Sequence, residues 1–497
     1  MSYYLGIDIG TFESKGAIVD DTGYVIATAA RPHKMLVPQP GWAEHRPKQD
    51  WWGDFCFIAK KMLAESRIDP KAIKAIGTSA IGPCMLPVDQ DGEALSNAAL
   101  YGVDNRAVAE IEELNAEIGE QKILDRCGNA LTTQSVGPKI LWLQKNRPEL
   151  FEKAAKIVTS TTYLVQKLTG ECVVDHYSAA NFSPLYEIDA KGWSNALAPG
   201  IVDLERLPRV LWTTDIAGRL TRKAARETGL AVGTPVITGT IDAAAEALSV
   251  GMTRTGDMMV MYGSTIFIIM LSSKRIQDGR LWYAPWLFPG EHASMSGLAT
   301  SGTLTHWFLD QFAKDLPFES AFRTLTEEAE ASPPGANGVI MLPHMSGERT
   351  PIHDSHAKGV IFGLNLTHNR GDLYRAAVEG IAFGTNRIFE TYREIGEAPK
   401  TLLAVGGGTK NSVWLQATSD VSGMPQTVRE RTLGASYGDA FLAALAIGAV
   451  KKSDIAAWNP SARRIAPRTK NRAVYDRQYG IFKRIYGQTK DLMAELS

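Results

Sequence analysis

Residues 4–9 alternate aliphatic side chains with small or charged ones, and residues 15–19 regain aliphatic character after Gly10 and Thr11 bend the chain. This pattern predicts two strands joined by a short polar turn. A turn signal, Asp20-Asp21-Thr22-Gly23, and a third apolar run over 24–30 extend the pair to an antiparallel meander. Beyond a Pro-rich loop over 32–47, Trp51, Trp52, Phe55, Ile58, Ala59, Met62 and Leu63 recur at helical spacing, with Asp50 placed as a cap. A strand over 72–78 is broken by Ile81-Gly82-Pro83-Cys84 and resumes over 85–88. Helical patterns follow over 139–144 and 161–168, while 175–193 has no clear period. A strand over 235–238 then runs into Gly239-Thr240-Ile241-Asp242 and a helix of small residues with Asp242 at its mouth.

The opening pattern returns about half the chain later. Residues 258–262 form an apolar run, Gly263-Ser264-Thr265 a turn, and 266–269 a second apolar run. Internal duplication explains this recurrence and places a boundary near 245–251, giving domains over 1–246 and 247–497. In the second half the pattern predicts helices starting near Ser301 and Phe318, a strand over 338–342 and a long amphipathic helix over 372–395. A strand over 401–405 stops at Gly406-Gly407-Gly408-Thr409-Lys410-Asn411, the Ala-rich run 434–447 reads as a buried helix, and a basic stretch links to a last amphipathic helix.

Three glycine turns therefore follow three strands, at Gly10, Gly263 and Gly406. Glycine beyond the carboxyl end of a strand lets amides wrap a phosphate chain. Thr11, Ser14 and Lys15 add hydroxyls and a cation at the first turn, and Asp8 points an anionic oxygen at the same place, which suits Mg²⁺ escorting phosphates. None of the turns has the P-loop spacing or a dinucleotide fingerprint with its trailing acid. Taken singly, each is as compatible with a plain tight turn as with a nucleotide site.

Composition narrows the class. At 497 residues with 44% apolar side chains, the chain supports two or three cores. A formal charge of −1 without basic clusters points away from nucleic acid and from anionic membranes. Cys56, Cys84, Cys127 and Cys172 lie far apart, as buried thiols of a reducing compartment do, and the N-terminus enters strand at once. No run approaches the ~20 apolar residues of a membrane span. The expectation is a cytoplasmic enzyme.

The Asp8-x-Gly10-Thr11 opening, Asp104-x-Arg106, Gly239-Thr240-Ile241-Asp242, Gly263-Ser264-Thr265, the run Ser346-Gly347-Glu348-Arg349-Thr350-Pro351, and Gly406-Gly407-Gly408 with Trp414 together resemble the FGGY family of carbohydrate kinases, most of all its xylulokinase-like members. The resemblance spans nearly the whole chain. It implies an α/β protein of two RNase H-like domains, of the actin, Hsp70 and hexokinase superfamily, with ATP in an interdomain cleft and the sugar held mainly by the N-terminal domain. It also implies that closure of the two domains keeps water from the transferred phosphate. By resemblance Asp242 is the general base, with a helix cap as its bland alternative. Asp8 resembles the family's Mg²⁺ carboxylate, with Asp242 beside it. Gly10, Thr11, Gly263, Ser264 and Thr265 would hold the β- and γ-phosphates, and Lys15 ranks below them among the ATP-binding residues because a plain hairpin charge also explains it. Gly302, with His306 one turn on, would approach the nucleotide, and Gly407, Gly408 and Asn411 the adenosine. Asp104 and Arg106 resemble a sugar-site segment, although Tyr101 stands one position off the family's aromatic anchor. The run 346–351 reads as structural before catalytic.

Two departures bear on the substrate. Xylulokinases carry Met-His-Gly where this chain has Ala80-Ile81-Gly82, and Asn after the catalytic Asp where it has Ala243. These positions, Ile81 and Gly82 included, normally meet sugar hydroxyls, so D-xylulose is the default and other pentuloses, hexuloses or polyols follow. The rival is a superfamily ATPase that works on a protein partner. A sugar sensor that no longer transfers is a third reading, disfavoured by the intact Asp242. The family's frequent dimers extend the expectation to a homodimer.

Overall fold

A computed structural model describes residues 2–496. The chain divides into two compact units that are not contiguous in sequence. The first comprises Met1–Thr253, Lys274–Ala293 and Leu433–Asn459; the second Arg254–Ser273, Ser294–Thr432 and Pro460–Ser497.

In the first unit one sheet runs in the order Ile216–Arg219, Pro235–Ile237, Ile73–Ala80, Tyr3–Ile9, Glu13–Asp20, Val25–Pro32. The last three are the predicted meander. Tyr3–Ile9 lies parallel to Ile73–Ala80 with Gly6 opposite Gly77 and Asp8 opposite Ser79. The Gly53–Ser66 helix covers one face and buries Phe55, Ile58 and Met62 with Ile7 and Ile18. The Ala435–Ala446 helix packs against the other. Gly6 and Gly77 open its lane, since a Cβ on either would collide with the carbonyl oxygens of Ser436 or Asp439. The same helix meets the Asp242–Ser249 helix through Gly438, whose Cβ would strike the Ala245 carbonyl. The Ala-rich run read above as part of the second half therefore belongs to the first unit.

In the second unit the strands run His292–Leu298, Ile266–Ser272, Asp257–Tyr262, Thr401–Val405, Gln426–Arg429, Ser461–Ile465. Asp257–Tyr262 pairs antiparallel with its hairpin partner and parallel with Thr401–Val405, as Tyr3–Ile9 does in the first unit. The duplicated pattern is thus a duplicated topology. Because Met261 stands opposite Val405, the turns at Gly263 and Gly406 emerge at the same end of the sheet. The Arg370–Glu394 helix starts with an Asn369/Asp372 capping box and buries Phe383 among Ile340, Tyr479 and Phe482. The basic stretch read as a link contains the edge strand Ser461–Ile465, whose exposed Arg463 and Arg464 suit an unpaired sheet edge.

Candidate active site

Strand register builds the chemistry of the first unit. Asp8 lies between Ser79 on one neighbouring strand and Lys15 on the other, and Ser79 also pairs with Thr240, two residues before Asp242. Asp242 opens the Asp242–Ser249 helix, and Glu246, one turn on, lies on the same face. Asp242 is the first helical residue rather than the cap: Ile241 takes the cap position, and the Asp242 carboxylate accepts from the adjacent Ala243 amide at 2.7 Å. The helix-cap alternative therefore does not account for this side chain.

The Asp8 carboxylate accepts from Ser79 Oγ at 3.1 Å, and the same hydroxyl stands 2.7 Å from Asp439 Oδ2, which also accepts the Ser79 amide at 3.0 Å. One hydroxyl proton cannot serve both carboxylates. Asp439 is 0% exposed, and among the described residues its Oδ1 has no hydrogen-bond partner. Burial and then the Asp8 charge push Asp439 well above the ordinary carboxylate range. Burial and then Asp242 do the same to Asp8, against the Ser79 hydrogen bond and the Lys15 charge. Burial pushes Asp242 up to about 7, with Glu246 adding and the Ala243 amide opposing. Burial raises Glu246 as well. Although crowded by protein atoms, Asp242 and Glu246 keep part of their surface open, as a group that must meet substrate has to.

This cluster carries more negative charge than Lys15 can balance; Lys15 is half exposed and pairs with Glu13 at 3.2 Å. Hard carboxylate oxygens short of cations suit a divalent ion that arrives with phosphates. Among the described residues no three His, Cys, Asp or Glu form a metal cage.

The sign of the pH dependence follows. Carboxyls raised in the folded state stabilise it below their unfolded values and lose that contribution as pH climbs through the folded ones, about 7 for Asp242. His45 and His176, held down to about 4, first by burial, act oppositely and only below their free value. Ligand-free protein should therefore melt at higher temperature near pH ~6.5 than near pH ~8.5, and Asp242→Asn should flatten the slope. An unchanged slope in that variant, read by thermal melts, excludes the assignment.

Asp104 and Arg106, in the same unit, face each other. The Arg106 guanidinium donates to both Asp104 oxygens at 2.8 and 2.7 Å and to Glu44 at 2.9 Å, and lies over the rings of Trp42 and Trp142 at 4.0 and 5.1 Å. Asp104 also accepts the Ala43 amide at 2.7 Å. Both side chains are buried in these contacts. Ile81 is buried, donates its amide to Ile9 at 2.7 Å and bears no polar side-chain atom, while Gly82 lies under Ile241, beside Asp242.

The second unit holds a cavity of about 720 Å³ lined by Gly263, Ser264, Gly302, His306, Gly407, Gly408 and Asn411, with Tyr262, Phe322, Tyr374 and Trp414 among its walls. Its size and apolar walls with a few polar groups suit a nucleotide. Seven sequence-predicted residues converge here, and Thr265 is not among the lining residues. Gly408 has to be glycine because a Cβ would press into Trp414 and Tyr262. Asn411 caps the Ser412–Ser422 helix, accepting from the Trp414 amide at 3.0 Å, and donates to Tyr374 at 3.3 Å. His306 packs edge-on to Phe322 at 4.8 Å. Glu348, from the run 346–351, accepts the Ala299 amide at 2.8 Å and so fixes the strand end before Gly302. That is the structural role its sequence suggested.

Sequence reading missed Ser79, Glu246 and Asp439. The signal for Asp439 is a single charge in the otherwise apolar run Gly438-Asp439-Ala440-Phe441; for Glu246 it is the four-residue spacing from Asp242. Among the described residues no helix is long and apolar enough to cross a membrane.

Comparisons with known proteins give the family. The N-terminal domain of the FGGY family of carbohydrate kinases matches residues 3–249 and its C-terminal domain 258–447. The xylulose kinase of Bacillus subtilis is 30% identical, covering 100% of this chain and 99% of its own. The gluconokinase of the same organism is 25% identical over 91% of this chain and 89% of its own. The crystal structure of xylulose kinase from Rhodospirillum rubrum superposes with a TM-score of 0.92 at 30% identity, covering 99% of each chain. With both of its domains matched, the chain belongs to the FGGY family of carbohydrate kinases and has their two-domain α/β fold.

Proposed function

We propose that this enzyme moves the γ-phosphoryl group of ATP to a hydroxyl of a small ketose, with D-xylulose as the leading acceptor and Asp242 as general base. The observation that carries the reading is Asp242 itself: a partly open carboxylate lifted to about 7, where it can both take and release a proton at working pH. Asp242 accepts the proton of the sugar hydroxyl, the hydroxyl oxygen bonds to the γ-phosphorus, and the bond to the β-phosphate oxygen breaks to release ADP. The Gly302, Gly407 and Gly408 cavity supports nucleotide binding. Asp8, with Asp242 beside it, would hold Mg²⁺, which neutralises charge on the phosphate oxygens when bound. The named xylulose kinase relatives favour the ketose. The apolar Ile81 and Ala243 keep other pentuloses, hexuloses and polyols in play, and the gluconokinase relative adds a sugar acid.

The test is ADP release over ketoses, aldoses, polyols and gluconate. Turnover should rise at least ~10-fold over background with one acceptor class, vanish in EDTA and return with excess Mg²⁺. Hydrolysis that ignores every sugar and responds to a polypeptide points instead to a superfamily ATPase.

A further inference from the structure

The first glycine turn is built around its carbonyl groups. His33 Nε2 lies 3.1 Å from Gly10 O, His45 Nε2 3.0 Å from Thr11 O, and the His33 amide donates to Phe12 O at 2.9 Å. All three carbonyls are engaged from behind. In a trans peptide the C=O and the following N–H point in opposite directions within one plane. Fixing Gly10 O therefore aims the Thr11 amide away from His33, and fixing Thr11 O aims the Phe12 amide away from His45. Among the described residues neither amide has an acceptor, and Phe12 is 62% exposed.

The two imidazoles are themselves held. Trp51 Nε1 donates to His45 Nδ1 at 3.0 Å, which fixes the proton of a neutral His45 on Nε2, where it donates to Thr11. Burial, with His33 adding, keeps His45 neutral. His33 Nδ1 faces Asp54 Oδ2 at 2.9 Å, and Asp54 is anchored by Ser14 at 2.8 Å and by Arg31 at 3.2 Å. Both nitrogens of His33 thus lie within hydrogen-bond distance of oxygen atoms. The rings meet edge to face at 4.9 Å.

The duplicated turn solves the same problem with main-chain amides and two hydroxyls. Gly263 O accepts from the Gly302 amide at 2.9 Å and from Ser301 Oγ at 2.9 Å, while Ser264 O accepts from the Ser301 and Thr303 amides, both at 3.1 Å. The Ser264 and Thr265 amides again have no acceptor among the described residues. Two turns with carbonyls pinned and successive amides free argue that the free amides are the working parts.

We infer that His33 and His45 are positioning residues that lock the Gly10-Thr11 and Thr11-Phe12 peptide planes so that two amides, rather than two carbonyl oxygens, meet the phosphate chain. A carbonyl turned toward phosphate repels it, so the clamp acts by excluding a flipped turn. The inference rests on the nucleotide reading above.

His45→Phe keeps a buried ring and removes the donor. His45→Gln restores a donor for Thr11 and an acceptor for Trp51. Expected for His45→Phe is a turnover and an affinity for a non-hydrolysable ATP analogue each about 10-fold lower, with AMP affinity within about twofold of wild type; His45→Gln should recover to within about threefold on both measures. His33→Phe runs the same test on Gly10 and decides alone if His45→Phe does not fold. The binding comparison needs no sugar, so it judges the clamp even if no acceptor is found, an outcome that would overturn the kinase reading instead. Wild-type analogue affinity in folded His45→Phe, an equal loss for AMP, or a glutamine variant as impaired as phenylalanine overturns the inference.

Discussion

Asp242→Asn should lower kcat by about 10²- to 10⁴-fold and change the affinity for ATP little. The amide keeps the size of the side chain and an acceptor for the Ala243 hydrogen bond, which spans 2.7 Å in the native protein. It cannot accept the hydroxyl proton. Relief of the mutual repulsion with Asp8 and Glu246 should leave the ligand-free variant at least as stable as the parent at neutral pH. Loss of rate with retained or higher melting temperature distinguishes a base from a scaffold. Turnover near wild type removes Asp242 from the chemistry. A loss confined to KM for ATP would move it to the nucleotide.

The second large effect concerns a residue with no side chain. Gly438→Ala should cost about 1–3 kcal/mol of stability, a drop of roughly 2–4 °C per kcal/mol for a unit of this size, and much of the activity with it. The added methyl would fall inside the van der Waals shell of the Ala245 carbonyl, on the helix that carries Asp242 and Glu246. Neither partner can yield cheaply, because both are main chain within packed helices. Gly487→Ala is the control: its helix leaves open space at that position, so the substitution should be neutral or slightly stabilising. Coincident melts for Gly438→Ala and the parent exclude the tight contact.

The sequence was most legible where a period or a turn acts locally. The hairpin pattern around Gly10 returned at Gly263 because each strand is buried on both faces and flanked by glycine, and Thr401–Val405 has the predicted bounds. The lining of the cavity proposed for the nucleotide was partly legible for the same reason, since Gly263 and the Gly407-Gly408 pair follow strand ends. What escaped depends on register and on distant chain segments. Nothing near Asp8 in sequence says that Ser79 and Asp439 lie against it; Asp439 reaches Ser79 across 360 residues. The histidines belong to a Pro-rich loop without a period, so their contacts with Gly10 and Thr11 have no one-dimensional signature. Asp104 and Arg106 matched a motif, yet their oxygens and guanidinium are engaged by each other, Glu44 and Ala43. Spacing reports proximity along the chain and says nothing of which atoms remain free.

The first unit takes the Ala435–Ala446 helix from Leu433–Asn459, after the larger part of the second unit has been written into the chain. That segment covers the glycine lane over Gly6 and Gly77 and supplies Asp439. During synthesis from the N-terminus, the first unit must wait with one face of its sheet bare while the second is made. A ribosome halted before residue 433 would hold a nascent chain without this helix, whereas one halted after residue 459 would have supplied every segment of the first unit. The two units are therefore interleaved in the order of manufacture, and the acidic centre is completed only near the end of translation.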